Sequence, residues 1–257
     1  VLHTINPRLH ADRILWMLEH SGARVLFFDL TFMPLIEQIA ARATLIEAFV
    51  AMCDRTSLPR VPLSKPLVSH EGLIAAHDDD YAWPRLDENT AATLCYTSGT
   101  TGDPKGVLYS HRSTVLHSFA AAQPDAFNCS AMDAILPVVP MFHVNAWGLP
   151  YVACMVGAKL VFPGPWLDGA SLHALIEAEG VTLSAGVPTV WQGLLAQAEA
   201  SGAGFTTMRR TIIGGAACPP QMIAAFQDRL NGTQKYVLQT MRKPLKLFTL
   251  IVGESNG

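Results

Sequence analysis

Charge, lysine and paired cysteine are scarce in this chain, and each scarcity removes a class of protein. Only 15% of its 257 residues are charged and the formal net charge is −3. No basic surface for nucleic acid or another polyanion is expected. Before Arg229 lysine occurs three times, at Lys65, Lys105 and Lys159. The cysteines, Cys53, Cys95, Cys129, Cys154 and Cys218, form no C-x-x-C pair and are odd in number. They read as reduced, buried thiols of a cytoplasmic protein rather than a disulfide framework. No histidine pair has H-x-x-x-H spacing, so no metal centre is expected. His111 and His117 flank a helix over 113–122 and read as solvated or capping groups. The most apolar stretch, Val144 to Phe162, is interrupted by Gly148, Pro150, Gly157 and Lys159. It falls short of the run of about 20 apolar residues that a membrane helix needs. There is no initiator Met and no signal-peptide pattern at Val1, although a start inside a longer chain would hide one. Repeats and low-complexity tracts are absent.

What remains is an apolar-rich chain, half of it hydrophobic, with strands and helices alternating. Ala11, Ile14, Leu15 and Leu18 recur at helical spacing, and Gly22 is a plausible stop. Arg24 to Phe28 reads as a strand, Phe32 to Ile39 as a helix face and Ile46 to Met52 as a second strand. Pro59, Pro62 and Pro66 make 54–66 a loop. Further on, strands are expected over 158–162, 181–185 and 211–213. Helices are expected over 171–178, 188–198 and 218–229, the last opening at Pro219 and Pro220. The alternation implies an α/β fold of mostly parallel sheets flanked by helices.

One segment carries chemistry. Thr97-Ser98-Gly99-Thr100-Thr101-Gly102-Asp103-Pro104-Lys105-Gly106 packs four hydroxyls, three glycines and one lysine into ten residues between two apolar runs. Glycines let backbone N–H groups turn inward onto a ligand; hydroxyls add donors and Lys105 adds charge. That is a cradle for a polyphosphate, expected as an exposed loop between two strands. It is not a Walker A loop, because Lys105 lies between Pro104 and Gly106 and opens no helix. An ordinary Gly/Ser/Thr turn has the same composition, so the longer string decides. Tyr-Thr-Ser-Gly-Thr-Thr-Gly-x-Pro-Lys-Gly-Val resembles the signature of the adenylate-forming, AMP-binding superfamily.

Other segments match that family in its own order. His3 to Leu9 is similar to an early segment. Leu136 to Val144 is similar to the acyl-pocket motif, Gly186 to Val190 to the pocket wall, and Ile212-Ile213-Gly214-Gly215-Ala216-Ala217 to the adenine-supporting strand and turn. Within the superfamily the chain looks most like medium- and long-chain fatty acid–CoA ligases. The resemblance covers 1–229 and implies part of a large N-terminal domain, with 230–257 an atypical tail. Three of the six lysines fall in that tail, and a frameshift or chimeric join near Leu230 is one reading of the change; a divergent genuine segment is the other.

The resemblance implies ATP, Mg²⁺ and CoA as the reaction's company. A carboxylate attacks the α-phosphorus of ATP, pyrophosphate leaves, and an acyl adenylate forms. It implies that Thr97, Ser98, Gly99, Thr100, Thr101, Gly102 and Lys105 hold phosphates, with Lys105 a point charge for catalysis rather than a base. Gly214, Gly215, Ala216 and Ala217 would support the nucleotide. His143, Val144, Asn145, Trp147, Gly186 and Val187 would meet the acyl substrate. His143 would donate to the reacting oxygens, the alternative being a hydrogen-bonded core residue. Trp147 is a tunnel gate or plain core. Any one of the glycines can instead serve a turn. His143, Val144 and Asn145 follow Phe142 where amino-acid-activating relatives carry an aspartate, so a fatty or aryl acid is favoured. Leu149, Tyr151 and Val190 extend the apolar wall.

Family parts are also missing. No Thr-Glu dipeptide occurs in the sequence, so the glutamate that holds Mg²⁺ has no match. The ribose-binding aspartate, the hinge and the adenylation lysine of the small domain have none either. These 257 residues are therefore expected to be inactive alone. The alternative is a short non-catalytic module that binds nucleotide or acyl groups.

Overall fold

The computed structural model describes residues 1–97 and 103–230, together with the backbone of 236–240. Two compact units emerge: His3–Asp87 with Tyr96–Gly106, and Val1–Leu2, Glu88–Cys95 and Val107 onward. The first will be called the N-terminal unit.

Within it, α1 (Ala11–Ser21) starts where the His10 ring accepts the Asp12 N–H and stops at Gly22. Its buried face is Ile14, Met17 and Leu18. Strands β2 (Val25–Phe28), β3 (Ala48–Ala51) and β4 (Leu67–Ser69) form a parallel sheet in that order. Val25 stands opposite Ala48, and Phe49 opposite Leu67. Helix α2 (Met33–Ala40) connects β2 to β3, and α3 (His70–Ile74) follows β4. Ile14, Met17, Leu18, Phe28, Ile36, Ile39, Ile46 and Phe49 form one core. Each fully buried large side chain contributes about 1.5–3 kcal/mol.

The chain crosses between units in β5 (Ala91–Thr97) and again in β6 (Lys105–Ser110). With β1 (Leu2–His3) they make a sheet of order β1–β5–β6.

The second unit continues through α4 (His111–Ala122), β7 (Ala134–Pro137), α5 (Leu149–Val156), β8 (Lys159–Leu160), α6 (Gly169–Glu179), β9 (Leu183–Gly186), α7 (Pro188–Ser201), β10 (Arg210–Gly214), α8 (Pro220–Arg229) and β11 (Tyr236–Thr240). Its five strands are parallel, in the order β11–β10–β9–β7–β8. Successive strand residues face opposite sides. Leu136 and Ile213 join Leu172, Ile176, Trp191, Leu194 and Phe226 in one core. Their neighbours Ile135 and Ile212 join Leu149, Val152 and Ala146 in another. Helices start on matched chemistry: the Asp168 carboxylate accepts the Ser171 N–H at 2.9 Å, and Pro188 opens α7 where no N–H is needed.

The N-terminal edge of this sheet is tied by one carboxylate. Asp133, beside β7, accepts from the Arg210 guanidinium at the start of β10. It also accepts from Thr182 Oγ1, beside β9, at 2.7 Å and from the Ser130 N–H at 2.9 Å.

Three expectations change. Residues 230–257 were read as an atypical tail, yet within them Tyr236 to Thr240 pairs with β10, Arg210 facing Tyr236 and Gly214 facing Thr240. A single strand added to a formed parallel edge needs no alternating pattern of its own. His117 is half-buried in mid-helix and hydrogen-bonded rather than solvated. Of the cysteines, Cys95, Cys129 and Cys218 are buried, whereas Cys53 is intermediate and Cys154 exposed.

Candidate functional site

The order β8–β7–β9–β10 reverses direction between β7 and β9. In an open parallel sheet the crevice beyond the carboxyl ends at such a reversal is where ligands bind. The segments leaving β7, β9 and β10 there are 138–147, Val187 and 215–217, the stretches that the motifs select.

The first of them contains the strongest backbone anomaly of the described chain. Val144, Asn145, Ala146 and Trp147 all have positive φ, between 48° and 56°. They form one turn of left-handed helix. Trp147 N–H donates to His143 O at 3.3 Å, and Gly148 N–H to Val144 O at 3.1 Å. Left-handed helical backbone costs an L-residue roughly 1–2 kcal/mol, and a β-branched residue such as Val144 tolerates it least. Gly148, at φ 73°, carries the chain out of the turn.

Surrounding groups hold the turn. His117 Nε2 on α4 lies 3.1 Å from the Trp147 carbonyl oxygen. A Cβ on Gly148 would sit 2.5 Å from the His117 ring. The Cys95 thiol, near the end of β5, donates to Asn145 Oδ1 at 3.5 Å. Ala146 is completely buried, and the partly buried Trp147 and Met141 pack on the same core. Asn145 is 3% exposed, and among the described residues its Nδ2 has no hydrogen-bond partner. A buried donor left unpaired costs about 1–3 kcal/mol, so a strained turn here presents an unused amide N–H. Strain that the surroundings enforce is concentrated at binding sites.

His143 precedes the turn. Its side chain is exposed and lies against Phe142, ring centroids 4.8 Å apart. It is not a core histidine. Burial raises the Tyr151 phenol pKa, which marks an apolar setting behind the turn.

The opposite lip is formed by Gly186, Val187 and the turn after β10. A Cβ on Gly186 would meet the Trp191 indole at 2.9 Å. The packing of Trp191 therefore requires a glycine at 186. Gly214 is the buried end of β10, whereas Gly215, Ala216 and Ala217 are exposed. Gly215 has φ 79°, and a Cβ there would meet Val187 at 3.1 Å, so no other residue fits this bend without strain. Val187 is half-buried beside it.

In the N-terminal unit, Thr97 ends β5 and Lys105 begins β6, both exposed. Thr97 Oγ1 donates to the Lys105 carbonyl at 3.4 Å. Lys105 makes no ion pair among the described residues. Ser98, Gly99, Thr100, Thr101 and Gly102 lie outside the described residues. Asp103 is paired with Arg13, NH1 to Oδ1 2.9 Å. Sequence reasoning missed Arg13, His117 and Cys95. The signal for His117 was Gly148, whose missing side chain is the space that its ring occupies.

Residues 1–241 match the AMP-binding enzyme family. The chain belongs to that family. It is 55% identical over 228 residues to a medium-chain-fatty-acid–CoA ligase of Ectopseudomonas oleovorans, covering 89% of this chain and 42% of that protein. It is 54% identical to a 3-methylmercaptopropionyl-CoA ligase of Ruegeria lacuscaerulensis over 89% of this chain and 42% of that protein. To a long-chain-fatty-acid–CoA ligase of Thermus thermophilus it is 46% identical, over 88% of this chain and 40% of the relative. This AMP-binding chain thus spans about two fifths of each. Among solved structures, a long-chain-fatty-acid–CoA ligase of Archaeoglobus fulgidus superposes with TM-score 0.78 at 21% identity, over 96% of this chain and 50% of that one. That likeness shows the shared fold.

Proposed function

We propose that this chain carries the acid-activating part of an acyl-CoA ligase whose substrate is a medium- or long-chain fatty acid. The observation that carries the reading is the left-handed turn Val144–Trp147 at the sheet's reversal point, with an unpaired buried amide and His143 beside it. Such a turn is costly, and ligand contacts give it a purpose.

The chemistry follows. One carboxylate oxygen of the acid forms a bond to the α-phosphorus of ATP. The α-phosphorus–oxygen bond to the β-phosphate breaks, and pyrophosphate leaves with the electron pair. The reaction brings like charges together, so placement and charge neutralisation do most of the work. Thr97 and Lys105, exposed at facing strand ends, fit a polyphosphate; Ser98 to Gly102 complete that contact by resemblance. His143 donates to the reacting oxygens. Asn145 Nδ2 is a second donor. Gly214 to Ala217 support the adenine, Trp147 and Val187 flank the acyl tail, and CoA sulfur then takes the acyl group from the adenylate. For Mg²⁺, the glutamate that the resemblance implies has no Thr-Glu match in the sequence. The 257 residues alone therefore bind ATP weakly and form no thioester.

The relatives' names widen the acid class to 3-methylmercaptopropionate, and an aryl acid is the other alternative. A non-catalytic nucleotide- or acyl-binding module is the second reading, favoured by β11, which extends the sheet past Arg229. A tail of foreign origin after Arg229 would then begin beyond that strand. ATP–pyrophosphate exchange and thioester detection with octanoate, palmitate, benzoate and 3-methylmercaptopropionate separate these readings. Acid-dependent exchange in the 257-residue chain would overturn its inactivity. Tight acyl or nucleotide binding without exchange would favour the module.

A further inference from the structure

One face of α1 touches both stems of the segment 97–105. Arg13, Trp16 and His20 are spaced three and four residues apart, so they lie along one side of the helix. On the incoming stem, the Tyr96 hydroxyl is 2.7 Å from His20 Nδ1. Trp16 stacks on His20, centroids 4.6 Å apart, and meets Tyr96 edge-on at 6.1 Å. On the outgoing stem, Arg13 holds Asp103 at 2.9 Å. Tyr96 immediately precedes Thr97, and Asp103 is two residues before Lys105. The same helix is anchored on its other side by buried Ile14, Met17 and Leu18.

We propose that Arg13 and His20 are positioning residues: they hold the two stems so that Thr97 and Lys105 are placed for a polyphosphate before it arrives. The proposal rests on the reading of Thr97 and Lys105 as phosphate contacts. Its physical basis is preorganisation. A lysine and a threonine on untethered stems must be ordered at the moment of binding, and that cost is subtracted from affinity.

A neutral double-mutant cycle distinguishes positioning from bulk charge, with inorganic tripolyphosphate and ATP as probes of the 257-residue chain, titrated by NMR. Arg13→Gln and Asp103→Asn should each weaken binding about two- to fivefold, the range of an exposed ion pair. The double variant should be no weaker than the worse single. His20→Phe, which keeps the stacking and loses the hydrogen bond, should weaken binding as much as Tyr96→Phe, and combining them should add nothing. Tighter binding in Asp103→Asn, with the double variant back at the parent value, would show long-range charge and overturn the proposal.

Amide hydrogen exchange separates this outcome from failure of the phosphate reading. Arg13→Gln and His20→Phe should speed exchange of the Thr97 and Lys105 amides at least about threefold, with the melting temperature within about 2 °C of the parent. Unchanged exchange overturns the proposal. Faster exchange in a chain that never binds tripolyphosphate leaves the clasp standing and removes the phosphate reading.

Discussion

The Nε2 atom of His117 lies 3.1 Å from the carbonyl oxygen of Trp147, the last residue of a left-handed turn. The same ring fills the space beside Gly148, where a Cβ would come within 2.5 Å of it. A residue on α4 thereby fixes both the end of the turn and the exit from it. Gly148→Ala is expected to destabilise the chain by roughly 1–3 kcal/mol, from positive φ and from the clash. In the double variant with His117→Ala the clash disappears and only the backbone strain remains. Thermal or urea unfolding of the single and double variants measures the difference; purely additive losses would mean that His117 does not pack on this turn.

Asn145 gives a binding prediction. Its Oδ1 is engaged by Cys95 while its Nδ2 has no partner among the described residues. If a ligand oxygen satisfies that N–H, Asn145→Ala loses one hydrogen bond of about 1 kcal/mol. Affinity for a non-hydrolysable acyl-adenylate mimic, an acyl sulfamoyl adenosine, should fall about fivefold. Asn145→Ala with unchanged affinity would make the amide a structural element of the turn alone.

How far the sequence reached depends on what it was asked. The parallel strands and their helices were legible because Ile135/Leu136 and Ile212/Ile213 carry apolar side chains to both faces, and because Pro188, Pro220 and Gly22 mark helix ends. The motif segments were legible as strings, and the sheet brings those leaving β7, β9 and β10 to one edge. The handedness of Val144–Trp147 was not legible. Val, Ala and Trp avoid positive φ, and only the tertiary contacts of His117, Cys95 and the core impose it. Gly186 was assigned to the ligand on its motif; that the Trp191 indole also packs on it was not legible. Arg13 and Asp103 are separated by 90 positions, and no local pattern reports such a pair.

Asp133 supplies a control at the other edge of the sheet. Its side chain is 2% exposed, against 10% for its partner Arg210. Breaking a buried charge pair by removing one partner costs about 3–5 kcal/mol. Asp133→Asn should therefore lower stability by an amount in that range, seen in urea unfolding, while affinity for the adenylate mimic stays within twofold or so under native conditions. A selective loss of affinity in a stable Asp133→Asn variant would show that the two edges are coupled.

His3 makes stability depend on pH. Burial lowers its pKa to about 4, from the ordinary 6.5. Among the described residues neither ring nitrogen has a hydrogen-bond partner, and the ring lies 5.0 Å from Tyr96. Between those two values the unfolded chain binds the proton and the folded chain does not, so stability rises with pH across that window. Acidification from pH 6.5 towards 4 should lower the melting temperature, and His3→Gln should flatten the dependence. An identical pH slope in both proteins would assign the effect to other groups.

The central claim is that these residues handle the acid and the ATP phosphates of an acyl-CoA ligase. Its most direct test is a chimera in which residues 1–229 replace the matching segment of the Ectopseudomonas oleovorans ligase, to which this chain is 55% identical over 228 residues. Octanoyl-CoA formation is measured at saturating ATP and CoA. The account predicts turnover in the chimera and none in the 257-residue chain. It also predicts that Lys105→Ala mainly raises the KM for ATP, whereas His143→Ala mainly lowers kcat, because in the proposed site His143 and not Lys105 meets the reacting carboxylate. A folded chimera that makes no octanoyl-CoA, or one whose activity survives both substitutions unchanged, would contradict it.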